Sequence, residues 1–137
     1  MSDLRIAAGP FAFTARLERQ ASPRTVEAFE SMLPFRSKII HVRWSGEATW
    51  IPMGDMQLDI PFEDPTCYPA PGQVLLYPGG VSETEILFPY GHCAFKSKAG
   101  YLPANHLMTI VDGREHLREL GVKVLWEGAL DIEIDRL

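Results

Sequence analysis

Short apolar segments interrupted by glycine and proline constrain this chain more than any other feature. Eleven prolines and eleven glycines punctuate its 137 residues. The clearest segment is Phe11–Leu17, where Phe11, Phe13, Ala15 and Leu17 share one face and Thr14 and Arg16 the other. That period of two belongs to a strand buried on one side. Further strands are expected at Leu4–Ala8, 38–44, 48–53, Gln73–Tyr77, 83–88, 93–96, 106–111, 122–126 and 130–134. Only two helices are expected. The first has Ser22 as N-cap and Pro23 at the first helical position, with Val26, Phe29 and Leu33 at helical spacing and Pro34 as its stop. The second begins at Asp112, buries Leu117 and Leu120, and ends at Gly121 as a C′ glycine. Many short strands leave unpaired edges unless the sheet closes or doubles, so the chain is expected to be mainly β, a closed barrel or a sandwich. At 137 residues it makes a single domain spanning 1–137.

The net charge of −5 comes with lysines and arginines scattered along the chain. Neither nucleic acid nor an anionic membrane surface is therefore expected as a partner. The N-terminus has no signal-peptide pattern and the apolar runs fall short of the roughly 18 residues of a membrane span, so the expected location is cytoplasmic. Cys67 and Cys93 sit in no CxxC pattern and are expected as free thiols. His41, His92, His106 and His116 show neither HxH nor HExxH spacing, so no metal is expected. No cofactor is expected either, because Gly79-Gly80 lacks both the Walker lysine and the dinucleotide-binding spacing.

The candidate site starts from Arg43-Trp44-Ser45-Gly46-Glu47. An arginine keeps its proton at any working pH and suits a carboxylate, phosphate or carbonyl oxygen. Alternation along residues 38–44 groups Ile40, Val42 and Trp44 as the apolar set and puts His41 and Arg43 opposite. Along residues 83–88 it turns Thr84, Ile86 and Phe88 inward and Glu83 and Glu85 outward. Arg43 and Glu85 then share a groove if their strands are neighbours, the alternative being a surface ion pair worth about 0–1 kcal/mol. Glu47 competes with Glu85 as the acid beside Arg43. Tyr77-Pro78-Gly79-Gly80 and Phe88-Pro89-Tyr90-Gly91 end two segments with an aromatic side chain and a glycine, which suits a ligand or a tight turn. Asn105-His106 follows an irregular stretch, where a neutral imidazole can act as base or donor. Ser45 stands outside any nucleophile elbow.

Several motifs in order carry a resemblance across nearly the whole chain. They are Ala21-Ser22-Pro23-Arg24-Thr25-Val26, Arg43-Trp44-Ser45-Gly46-Glu47, the run from Gly72 to Gly80, Ser82-Glu83-Thr84-Glu85-Ile86, Tyr90-Gly91, Ser97-Lys98, Asn105-His106 and Leu125-Trp126-Glu127-Gly128-Ala129. With these the chain resembles the DUF3830 family of cyclophilin-like proteins, whose function is uncharacterised. The resemblance implies a cyclophilin-like closed antiparallel β-barrel with two short helices. True cyclophilins follow their arginine with glutamine and two glycines, whereas Arg43 is followed by Trp44-Ser45-Gly46-Glu47.

The expected function is therefore a small-molecule site on the barrel face for a polar or anionic metabolite. Arg43, Glu47 and Glu85 are its candidate catalytic residues, acting by proton transfer or hydrolysis if there is a reaction, and Tyr77, Tyr90, Asn105 and His106 frame it. A prolyl isomerase or proline-peptide binder is the alternative, and a non-catalytic assembly module is a third reading. The four prolines of residues 61–72 offer either a homo-oligomeric contact or a loop folded back on its own barrel.

Overall fold

The alternation read from Phe11–Leu17 is kept in the folded chain: Phe13, Ala15 and Leu17 are buried while Ala12 and Arg16 are exposed. The computed structural model describes all residues, 1–137. Chain order is β1 (Leu4–Ala8), β2 (Phe11–Leu17), α1 (Pro23–Glu30), β3 (Phe35–His41), β4 (Gly46–Pro52), β5 (Gln73–Tyr77) and β6 (Glu85–Cys93). There follow β7 (Lys96–Ser97), β8 (Gly100–Tyr101), β9 (Asn105–Asp112), a 3-10 turn at Arg114–His116, α2 (Leu117–Glu127) and β10 (Leu130–Arg136). Eight strands close in the order β1-β10-β3-β4-β6-β5-β9-β2, and β7 and β8 form a separate hairpin. Every neighbouring pair is antiparallel. Closure leaves the barrel no edge strand, the requirement that so many short segments impose. No helix is long and apolar enough to cross a membrane.

Inward-facing residues such as Phe13, Ile51, Leu76, Ile86 and Phe88 form the main core with α1 and α2. A second, smaller core lies on the other face of β4, β5 and β6, where Ala48, Leu75, Tyr77 and Leu87 meet Phe95, Leu102 and Ala104. These strands are thus buried on both faces, which is why Val74-Leu75-Leu76-Tyr77 is apolar without a break.

Strand β3 ends earlier than the expected 38–44, and Phe35 and Ile39 are its buried residues. Ile40 and Val42 take the outer face, His41 points inward to Tyr90, and Trp44 is 54% exposed in the loop beyond the strand. The apolar set read from Ile40, Val42 and Trp44 is therefore not the barrel core. A second correction concerns α2, which runs through Gly121 and takes in residues 122–126, expected as a strand. Gly121 is needed inside the helix because the Tyr90 ring lies against it; a Cβ there would run into two of the ring carbons. The helix stops instead at Gly128, whose φ of 94° suits only glycine. Val122, Leu125 and Trp126, which suggested the strand, face solvent.

The cap of α1 also differs from the expected one. Ser22 occupies the N-cap position without a side-chain capping bond, and its hydroxyl is buried without a partner. The Glu63 carboxylate caps the helix instead, accepting the N–H of Arg24 (3.1 Å), the N–H of Thr25 (2.8 Å) and the Thr25 hydroxyl (2.7 Å). Burial alone would raise the Glu63 pKa, but these bonds together hold it below the usual value. The proline-rich stretch 61–72 folds back on its own barrel, with Thr66 and Ala104 exchanging two backbone hydrogen bonds at 3.0 Å.

Replacing Gly121 with alanine should destabilise the protein, because the gain in helix propensity is smaller than the clash with a buried ring. The expected loss is about 2 kcal/mol, read as a fall in Tm of roughly 6 °C.

Candidate functional site

Where the outer core ends, the barrel face opens into a cavity of about 300 Å3. Its floor is Val42 and Trp50. Trp50 points outward because Ile51, its neighbour on β4, is committed to the main core. One wall carries Arg43, Trp44 and Ser45 from the β3–β4 loop and Lys96, Ser97 and Lys98 from the hairpin. The other carries Ser82, Glu83 and Glu85.

The cationic wall is held together at Ser45. Ser45 Oγ donates to the Lys96 carbonyl (3.1 Å) and accepts the Lys96 N–H (3.0 Å), while the Ser45 carbonyl accepts from Ala94 N–H (2.9 Å). Gly46 completes the turn at φ 104°, and a Cβ there would stand 2.8 Å from the His92 carbonyl oxygen. Lys96 Nζ lies 5.0 Å from the Tyr101 ring centroid.

Glu85 begins β6, opposite Pro52 and Tyr77 in the ladders. It is 6% exposed, and its one side-chain hydrogen bond is accepted from the Ser82 hydroxyl at 3.4 Å. Burial, reinforced by the Glu83 charge, pushes its pKa up to about 7. The side chain can therefore gain or lose a proton near neutrality. Arg43, Lys96, Lys98, Glu83 and Glu85 enter none of the ion pairs of the protein.

Of the seven residues singled out in the sequence, Arg43 and Glu85 share this cavity. Tyr77 lies beside it, its hydroxyl oxygen accepting the N–H of Val81 (2.9 Å) and Ser82 (3.4 Å) and so holding the acidic wall. The other four lie elsewhere. Glu47 accepts His92 N–H (2.9 Å) and Arg118 (3.1 Å), over a glycine, Gly91, that has no Cβ to obstruct it. The His92 bond, then Arg118, hold its carboxyl below the ordinary range. Tyr90 belongs to the main core beneath α2, bonded to His41 Nε2 at 2.8 Å and with Arg118 5.5 Å from its ring centroid. Asn105 is fully buried near the start of α1, accepting Glu63 N–H (2.7 Å) and donating to Thr25 Oγ1 and the Pro61 carbonyl (both 2.9 Å). His106 Nε2 lies 2.9 Å from Thr109 Oγ1, which donates to Glu18 at 2.5 Å. Burial lowers the His106 pKa against the opposing pull of Glu18.

Trp50, Lys96 and Lys98 are cavity residues outside those seven. Trp50 was accessible in principle, since alternation from Ala48 sets both on one face. Lys96 and Lys98 were not, because no periodicity runs through their segment.

A closed antiparallel barrel with two helices and a charged cavity on its outer face is the class that these features define. The chain belongs to the family described as "Protein of unknown function (DUF3830)", which matches residues 4–135. Among solved structures it is similar to McbB in complex with tryptophan, with a TM-score of 0.74 and 20% identity. That likeness covers 97% of this chain and 44% of McbB, so the chain spans less than half of McbB. It is also similar to the hypothetical protein AF2241 from Archaeoglobus fulgidus, with a TM-score of 0.61, 17% identity and coverage of 99% and 95%. At such identities the likeness is one of fold. No curated protein sequence matches.

The raised pKa of Glu85 fixes the sign of a pH effect. The folded chain favours the protonated carboxyl, so this contribution to stability is complete below the ordinary 4.5 and is lost as pH rises to about 7. Glu85→Gln should leave Tm unchanged at about pH 3.5, below the ordinary 4.5, and raise it relative to wild type near pH 8. Thermal melts of both proteins across that range measure the difference.

Proposed function

We propose that the outer cavity binds a small, carboxylate-bearing metabolite, with Arg43 gripping a ligand oxygen and Glu85 serving as the proton-exchanging group. The observation that carries this reading is the gathering of Arg43, Lys96 and Lys98 on one wall of a cavity of about 300 Å3, a size that suits a small ligand. With Glu85 protonated, the lining has an excess of positive charge that favours an anion. A carboxylate takes two parallel hydrogen bonds from a guanidinium, and the Trp44 and Trp50 rings offer apolar contact beside it. McbB, which contains a barrel of similar shape, was solved in complex with tryptophan, also a small carboxylate.

The finer description of the barrel as cyclophilin-like belongs to this reading, as does the outer face as its working face. Prolyl isomerisation is the weaker alternative, because the groups sharing the cavity with Arg43 are largely charged or polar rather than an apolar proline pocket.

A thermal-shift screen of carboxylate metabolites should raise the Tm of the wild-type protein. Arg43→Ala should abolish that shift, weakening binding by about tenfold or more, while moving the ligand-free Tm little because the side chain is exposed. Absence of any Arg43-dependent shift, with accelerated isomerisation of a proline tetrapeptide, would overturn the proposal in favour of the isomerase.

A further inference from the structure

The two walls of the cavity carry opposite charges that do not neutralise each other. Arg43, Lys96 and Lys98 line one side and Glu83 and Glu85 the other, and none of the five is ion-paired. Their separation follows from the β4–β6 ladder. Glu85 stands opposite Pro52 at one end of β4, while Ser45, which clamps Lys96, precedes Gly46 at the other. Trp50 lies between these ends, opposite Leu87. A simple anion would satisfy the cations but leave Glu85, the buried acid, without a partner of opposite charge.

We infer that the ligand is an aminocarboxylic acid zwitterion, its carboxylate on the Arg43–Lys96–Lys98 wall and its ammonium on Glu85 and Glu83 beside the Trp50 ring. This rests on the preceding reading of the cavity as a carboxylate site. An ammonium beside Glu85 stabilises its ionised form, so binding near pH 6.5 expels a proton from the protein. The ring face of Trp50 adds a cation–π contact that an uncharged chain end does not make.

Matched pairs of probes test the inference: L-phenylalanine against 3-phenylpropanoate, and 6-aminohexanoate against hexanoate, titrated calorimetrically near pH 6.5 in two buffers of different ionisation enthalpy. At least one amino member should bind about tenfold tighter than its partner, with proton release, and in the Glu83→Gln/Glu85→Gln double variant the preference should shrink to about twofold or less. Equal binding within both pairs, or an amino preference that persists in the double variant, overturns the zwitterion; if that binding still requires Arg43, the carboxylate site stands. If none of the four binds in an Arg43-dependent way, both readings fall together.

Discussion

Burial of β4, β5 and β6 on both faces is the constraint on which the site depends. Their inward residues fill the barrel, yet Leu75, Tyr77 and Leu87 are equally apolar and point the other way. Each such side chain gains about 1.5–3 kcal/mol when fully buried, so the outer face must be covered. The cover is the chain after β6, with Phe95 and Leu102 against the sheet. Its backbone is paired locally: Phe95 N–H donates to the Cys67 carbonyl and Leu102 N–H to the Phe95 carbonyl. Lys96 and Lys98 ride on that cover, and the cavity opens where the apolar cover stops. The charged site is thus a by-product of how an over-hydrophobic face is sealed.

Two glutamates on adjacent strands show how little residue type decides. Glu47 receives a backbone N–H and a guanidinium, and its carboxyl is held low. Glu85 has one distant hydroxyl and a second acid for company, and its carboxyl is pushed up to about 7. The first fastens α2 to the barrel through Arg118, while the second is left with a proton to exchange. Environment holds one carboxyl low and pushes the other up.

The barrel was legible wherever one period ran undisturbed. Phe11–Leu17 and Gln73–Tyr77 form as read, and Ile86 and Phe88 point inward with Glu85 outward. Reading failed where a distant contact overrules local preference. Gly121 reads as a stop until the Tyr90 ring is known to lie against it, and Ser22 reads as a cap until Glu63 takes that role from a remote loop. Glu47 was grouped with Arg43 by proximity in sequence, but a register shift between Gly46 and Ala48 accompanies its turn toward α2. Arg43 itself lies beyond the end of β3, so alternation could not place it. Lys96 and Lys98 sit where no periodicity runs, and it is the long-range bonds between Ser45 and the Lys96 backbone that bring their hairpin to the site.

Both cavity walls are pinned by hydroxyl groups rather than by charges. Ser45 locks the Arg43 loop to the Lys96 backbone, and Tyr77 ties the Val81–Ser82 turn that carries the acids. The cationic loop and its hairpin are consequently one connected unit, and the acidic turn is another. These two hydroxyls shape each wall, while the distance between the walls follows the β4–β6 ladder. The residues that shape the two walls, Ser45 and Tyr77, are thus distinct from Arg43 and Glu85, which give the walls their ionisable groups.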